Sequence, residues 1–129
     1  MNKITGFLAR VLISLPLLVF GFFHVANASM MAGMVPSYVP GGVVWVYITG
    51  VAMLLAAVAF ITGKQARLAG FLTALLLTVF VVTIQLPGMS KTVDPTDAVG
   101  NAYKMAAFAS FFKDLGLVGA SLLIASISK

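Results

Sequence analysis

The sequence contains no cysteine, a single histidine and only three acidic residues. Without cysteine, the chain cannot form a disulfide framework, a dithiol redox centre or a thiolate-ligated cluster. A single histidine excludes a bis-histidine haem site within one chain. Any redox role would therefore need an electron carrier supplied by a partner or by a bound small molecule.

Charge of either sign is scarce. Charged residues make up 9% of the 129 residues and hydrophobic residues 61%, whereas soluble domains carry about 25% charged residues. The composition predicts an integral membrane protein. The net charge of +5 does not indicate nucleic-acid binding, because the basic residues flank apolar runs, as membrane orientation requires.

Four apolar runs cover about 7–28, 43–62, 68–86 and 103–127, each near the ~20 residues that a spanning helix needs. Short connections with proline and glycine separate them, and we expect Pro87-Gly88 to end the third helix. The predicted fold class is all-α: an integral membrane four-helix bundle that forms a single transmembrane domain over residues 1–129.

The basic residues predict the orientation. Lys3 and Arg10 precede or open the first run, Lys64 and Arg67 lie near the second connection, and Lys129 closes the chain. The first connection carries no charge. By the positive-inside rule, both termini and the second connection are cytoplasmic, and the expected location is the bacterial inner membrane.

The N-terminus has a second interpretation, a cleaved signal peptide. Lys3 and Arg10 would form its basic region, Val11 to Phe23 its apolar core, and Ala26-Asn27-Ala28 its cleavage site. Cleavage would leave three spans and the polar residues of the fourth helix short of partners. We therefore expect the first helix to be retained.

Two adjacent charges, Lys113 and Asp114, lie inside the fourth apolar run. A charge near the bilayer centre costs roughly 2.5–3.5 kcal/mol on insertion scales, so it rarely faces lipid. Neighbouring residues on a helix point about 100° apart, so we expect these two not to satisfy each other well. Asp114 should then find its partner on another helix or in a watery cavity.

Polar residues of all four helices fall in the outer half of the predicted bundle. The candidate ligand-binding residues are His24, Tyr47, Gln85, Lys113 and Asp114. Simpler roles remain open: His24 bonded to a backbone carbonyl, Lys113 reaching the interface along its stem, and Asp114 in a salt bridge that sets helix packing. We predict no catalytic residue and no metal ligand set. The chain has no nucleophile–base pair or metal motif at recognisable spacing, so an autonomous enzyme is not expected.

Four segments carry a resemblance to a known family: Val35–Gly42, Trp45–Gly50, Gln85–Pro87 and Phe112–Ala120. They are similar to the first loop and the later helices of DoxX-like membrane proteins, and the similarity extends from Arg10 through Ile124. The chain differs where many relatives carry an acidic residue after the glycine matching Gly50, and His where this chain has Gln85.

The resemblance implies a four-helix membrane bundle associated with redox complexes. The function expected from it is an accessory or anchoring subunit of a redox-linked membrane complex. Such a subunit would hold a redox protein partner and bind a lipophilic molecule, with quinone as the candidate, in an outward-facing polar pocket. The alternative is a small carrier or binder of envelope lipids or solutes without redox chemistry. The sequence leaves the oligomeric state open.

Overall fold

The computed structural model describes residues 2–129, and within that range every regular element is helical. Four helices are long and apolar enough to cross a membrane. They are α1 (Lys3–Ala26), α2 (Val43–Thr62), α3 (Ala66–Ser90) and α4 (Ala98–Ile127). These observations confirm the predicted all-helical class with four candidate membrane-spanning helices.

The connections between the four helices are short and differ in length. Loop 1 (residues 27–42) holds a short helix, Ala28–Met31, and a 3₁₀ turn, Ala32–Met34. Loop 2 (63–65) is a tight link, and loop 3 (91–97) leads into α4. The helix α4 starts at Ala98 rather than at about 103, because the side chain of Asp97 accepts a hydrogen bond from Gly100 N at 3.0 Å. An aspartate at this position is a common N-cap, so the sequence already contained the signal.

The expectation that Pro87-Gly88 ends the third helix is wrong: α3 continues to Ser90. A π-helical turn spans Val81–Gln85, and Leu86 N donates to Val81 O across five residues. Pro87 then lies in the first turn of the α-helical segment that follows. Proline is tolerated there because the first turn of an α-helix makes little use of its N–H groups.

The helices form two antiparallel pairs, α1 with α2 and α3 with α4. A smaller contact between α2 and α3 joins the pairs, and α1 and α4 touch at few residues. Glycine allows the closest crossing in each pair. A Cβ on Gly50 would lie 2.7 Å from His24 Cβ and 3.0 Å from Gly21 O, and a Cβ on Gly70 would lie 2.5 Å from Ser121 O. Small residues at such crossings are typical of helix packing in membranes.

Large apolar side chains occupy both the interior and the surface of the bundle. Leu17, Phe60 and Leu77 are fully buried in the core. The outer faces nevertheless carry exposed leucine, valine and phenylalanine along all four helices, for example Leu55 at 66% exposure. A soluble bundle would carry mainly charged side chains on these faces, so this surface fits a helical membrane protein.

Candidate ligand-binding site

The centre of the candidate site is a buried contact between α3 and α4. Gln85 Nε2 donates a hydrogen bond to Asp114 Oδ2 at 2.5 Å, and both residues are buried. The π-helical turn explains the position of Gln85. In a regular α-helix, residues four apart drift by about 40° per step. The wider turn removes this drift, so that Leu77, Val81 and Gln85 all lie on the buried face.

The ion pair of the site lies within α4. Lys113 Nζ is 3.3 Å from Asp114 Oδ1, so the expectation that these neighbours do not satisfy each other is wrong. Their Cα–Cβ bonds diverge, but the four-carbon lysine stem is long and flexible enough to bring the ammonium back to the carboxylate. Asp114 is thus satisfied twice, by Lys113 within α4 and by Gln85 from α3, as an acceptor-only carboxylate requires.

Aromatic contacts connect α1 to the same place. Lys113 Nζ lies 3.7 Å from the centroid of the Phe20 ring, a cation–π contact. One turn further along α1, His24 Nδ1 is 2.6 Å from Phe20 O. The His24 ring also stacks on Phe80 of α3, with centroids 6.2 Å apart and planes 7° from parallel. Residues of α1 therefore contact both Lys113 of α4 and Phe80 of α3.

His24 has a defined tautomer when neutral. A carbonyl oxygen only accepts, so Nδ1 must carry the proton that binds Phe20 O, and Nε2 is left as an acceptor. This is the backbone-bonded role that the sequence left open for His24. Nε2, the second ring nitrogen, takes no part in this hydrogen bond and can accept a hydrogen bond from another donor.

Tyr47 lies away from this cluster. Its side chain is 47% exposed on α2, where it lines a shallow apolar groove with Ile48, Val51, Ala52 and Leu55. None of the other four candidate residues lines that groove. In the structure, Asp114 contacts both Gln85 and Lys113. His24 is connected to Lys113 through Phe20 and to α3 through Phe80. The structure does not bring Tyr47 to them.

Two buried polar atoms, Gln85 Oε1 and Ser121 Oγ, have no hydrogen-bond partner among residues 2–129. A buried polar group without a partner costs about 1–3 kcal/mol, and such groups are few in native proteins. Gln85 Oε1 is the more informative of the two because it lies on the residue that contacts Asp114. The cluster thus contains an acceptor that needs a donor.

The arrangement offers hydrogen bonds and charge rather than a metal site. Across the described chain, no three His, Asp or Glu side chains come close enough to hold a metal ion. The acceptors are Gln85 Oε1 and His24 Nε2, and the donor is the Lys113 ammonium. This set can bind a hydroxyl or a carbonyl group of a small molecule.

Sequence reasoning missed the two aromatic residues of the site. Phe20 and Phe80 connect His24 to Lys113 and to α3. The spacing of four between Phe20 and His24 was a usable signal, since it places both on one face of a helix. The contact of Phe80 with His24 had no such signal, because it depends on how α1 and α3 pack.

Comparison with known families assigns the chain to one of them. The helical bundle described above has four candidate membrane spans and no described strand. The chain belongs to the family described as Domain of unknown function (DUF8561), whose model matches residues 13–109. No curated protein and no solved structure matches it. The matched region includes His24, Tyr47 and Gln85 and ends before Lys113. Nothing in these comparisons links the chain to DoxX-like proteins, so that resemblance stays a prediction.

Proposed function

We propose that this protein is a small inner-membrane subunit that binds a lipophilic molecule of the quinone type and anchors a redox-linked complex. The bound head group would lie at Gln85, Lys113 and Asp114, with His24 beside it. The redox association comes from the resemblance to DoxX-like proteins, and the binding role comes from the geometry of the site.

The observation that carries the binding role is the buried Gln85 Oε1, which accepts no hydrogen bond from the described chain. A hydroxyl of a quinol would supply the missing donor. The Lys113 ammonium, which has three N–H donors, would serve the carbonyl of the oxidised form. The Phe20 ring holds the Lys113 ammonium in place, and the Phe80 ring holds His24. Both redox forms of a quinone therefore find suitable partners in this cluster.

The proposed orientation has both termini and loop 2 in the cytoplasm and loops 1 and 3 outside. It rests on the basic residues at one end of the bundle, Lys3, Arg10, Lys64, Arg67 and Lys129, and on the positive-inside rule. In this orientation, the Gln85–Asp114 contact belongs to the outward half, because Gln85 is one turn from the end of α3.

Because the chain lacks cysteine, single-cysteine variants can test this orientation without background labelling. In spheroplasts, we expect Thr92→Cys in loop 3 to react with a membrane-impermeant maleimide. Ser128→Cys, near the C-terminus, should react only after the membrane is permeabilised. Neither change alters the charge of the chain. The reverse pattern would show the opposite orientation.

The direct test of ligand binding is native mass spectrometry of the protein gently extracted from its own membrane, with lipid extraction of the same sample. A retained quinone, or a retained redox protein, would support the proposal. A retained phospholipid or cell-wall precursor would instead favour the envelope-lipid binder that the sequence left open. A protein without any ligand or partner would contradict the binding role.

Gln85→Leu should reduce ligand retention about two- to tenfold, because one hydrogen bond to the ligand is lost, worth roughly 0.5–1.5 kcal/mol. Some loss of stability is also expected, because the change removes the Nε2 donor to the buried Asp114 Oδ2, so ligand retention is compared on folded protein. Thr73→Val is the matched control: it replaces another buried polar side chain of α3 and should leave ligand retention unchanged. Equal retention by the Gln85 variant and the wild type would exclude this residue from the site.

A further inference from the structure

A cavity that is distinct from the Gln85–Asp114 site lies at the end of the bundle that carries loops 1 and 3. It is a cleft of about 520 Å³ between loop 1, the end of α3 and the first part of α4. It is called the outer cleft below. Its lining includes Ser37, Val82, Ile84, Pro87, Lys91 and Tyr103. The volume lies within the range of about 300–1,000 Å³ that small-molecule sites occupy.

The only charged residue in this lining is Lys91. Its ammonium lies 5.5 Å from the centroid of the Tyr103 ring, which holds it towards α4. Within residues 2–129, the single ion pair is Lys113 with Asp114, so Lys91 has no carboxylate partner. The cleft therefore presents one uncompensated positive charge.

The two acidic residues of loop 3 are engaged elsewhere. Asp94 accepts hydrogen bonds from the Thr96 side chain at 2.6 Å and from Thr96 N at 2.8 Å. These bonds hold the pKa of Asp94 below its usual range. Asp97 caps α4 through Gly100 N. Neither carboxylate lines the outer cleft, so neither neutralises the cleft from within.

Free hydroxyl groups accompany the ammonium. Ser37 and Tyr103 both line the cleft, and neither hydroxyl bonds to another group in the described part of the chain. Thr83, in contrast, already donates to Val79 O at 2.6 Å. Gly88 brings the start of α4 close to α3: a Cβ there would lie 3.0 Å from Ala107 Cβ and 3.5 Å from Tyr103 Cε1. An ammonium and two hydroxyls from three segments thus line the same cleft as potential donors.

The remainder of the lining is apolar and continuous with the outer surface of α3. Val82 lines the cleft yet is 56% exposed, and Ile84 and Pro87 are its neighbours in the lining. A molecule with its polar end among the donors would therefore meet hydrocarbon surface at its other end. This combination fits an amphiphile rather than a fully polar solute.

We propose that the outer cleft binds the phosphate of an anionic amphiphile, with Lys91 as the cationic partner and Ser37 and Tyr103 as hydrogen-bond donors. Lysine is a common phosphate partner, acting as a point charge, and a phosphate has enough acceptor oxygens to use all three donors. The hydrocarbon part lies against Val82 and Ile84. This site is separate from the Gln85–Asp114 site and does not depend on its ligand.

The test is a titration of the detergent-solubilised full chain with dioctanoyl phosphatidylglycerol, followed by native mass spectrometry. Dioctanoylglycerol is the uncharged comparison, and inorganic phosphate is the comparison without hydrocarbon. We expect the phosphatidylglycerol to bind at least tenfold more tightly than either. Equal binding of dioctanoylglycerol would overturn the role of the charge. Displacement by inorganic phosphate at similar concentration would overturn the lipid as the source of the phosphate.

Lys91→Ala should weaken phosphatidylglycerol binding about tenfold, as expected when a charge-assisted hydrogen bond is lost. Lys64→Ala, which removes the same charge from loop 2 at the opposite end of the bundle, is the control and should bind like the wild type. The double change Ser37→Ala with Tyr103→Phe should weaken binding while retaining the charge. Unchanged affinity in both cleft variants would refute the proposal.

The two proposals can fail independently. Gln85→Leu should bind phosphatidylglycerol like the wild type, and Lys91→Ala should retain the lipophilic ligand of the inner site. If Gln85→Leu lost phosphatidylglycerol binding as well, the separate outer site would be refuted.

Discussion

Asp114→Ala should abolish retention of the lipophilic ligand and lower the stability of the bundle. The carboxylate satisfies both the Lys113 ammonium and the Gln85 amide, so its removal leaves a charge and an amide without partners. Breaking a fully buried pair costs about 3–5 kcal/mol. Here we expect about 1–3 kcal/mol, because the Lys113 side chain is 35% exposed and solvent screens part of the interaction.

Asp114→Asn separates the binding role from a packing role. The asparagine keeps an oxygen that can accept from Gln85 but carries no charge. Thermal unfolding in detergent and ligand retention are to be measured on both variants. Asp94→Ala, which removes the same charge from an exposed position of loop 3, serves as the control. If Asp114→Asn keeps its melting temperature but loses the ligand, Asp114 acts in binding. If it keeps the ligand and loses only stability, Asp114 serves helix packing alone.

Gly70→Val should cause the largest loss of stability among changes at glycine, because it forces α3 and α4 apart. A Cβ at Gly70 would lie 2.5 Å from Ser121 O, 2.9 Å from Ala125 Cβ and 3.0 Å from Ala125 N. Two of these three atoms belong to the backbone and cannot rotate away. Overpacking typically costs about 1–3 kcal/mol, and a clash with backbone belongs at the upper end of that range.

The matched control for Gly70 lies on α4. A Cβ on Gly116 would meet no atom within 4 Å, so Gly116→Ala should keep or slightly raise the melting temperature, as alanine favours a helix over glycine by up to about 1 kcal/mol. Gly70→Val should also weaken ligand retention, since Ser121 lies two turns from Asp114 on the same buried face. A Gly70 variant as stable as the wild type would contradict the close crossing.

The amino-acid sequence was sufficient to predict the all-helical class, because this prediction needs only the positions of the long apolar runs. Four apolar runs with breakers between them predict four helices, and the structure has four candidate spans. The sequence also drew attention to Gln85, Lys113 and Asp114, because polar side chains stand out within apolar runs. These residues do meet in the structure, although whether they bind a ligand stays a prediction.

The details that sequence reasoning missed depend on three-dimensional packing or on side-chain flexibility. The π-helical turn at Val81–Gln85 has no clear sequence signature, yet it keeps Gln85 on the buried face. The bend of Lys113 back to Asp114 depends on the flexible stem of one side chain. The positions of the glycines do not by themselves show which crossings are close: Gly70 forms a close crossing, whereas Gly116 has open space around it.

The uneven pairing of the helices implies an order of assembly. The crossing of Gly21 with Gly50 needs only α1 and α2, so it can close before α3 has emerged from the ribosome. The crossing of Gly70 with Ser121 has to wait until α4 has emerged as well. Domains and subdomains generally fold from the N-terminus as synthesis proceeds. The bundle should therefore form as two successive hairpins, and the Lys113 contact with Phe20 should be among the last to join them.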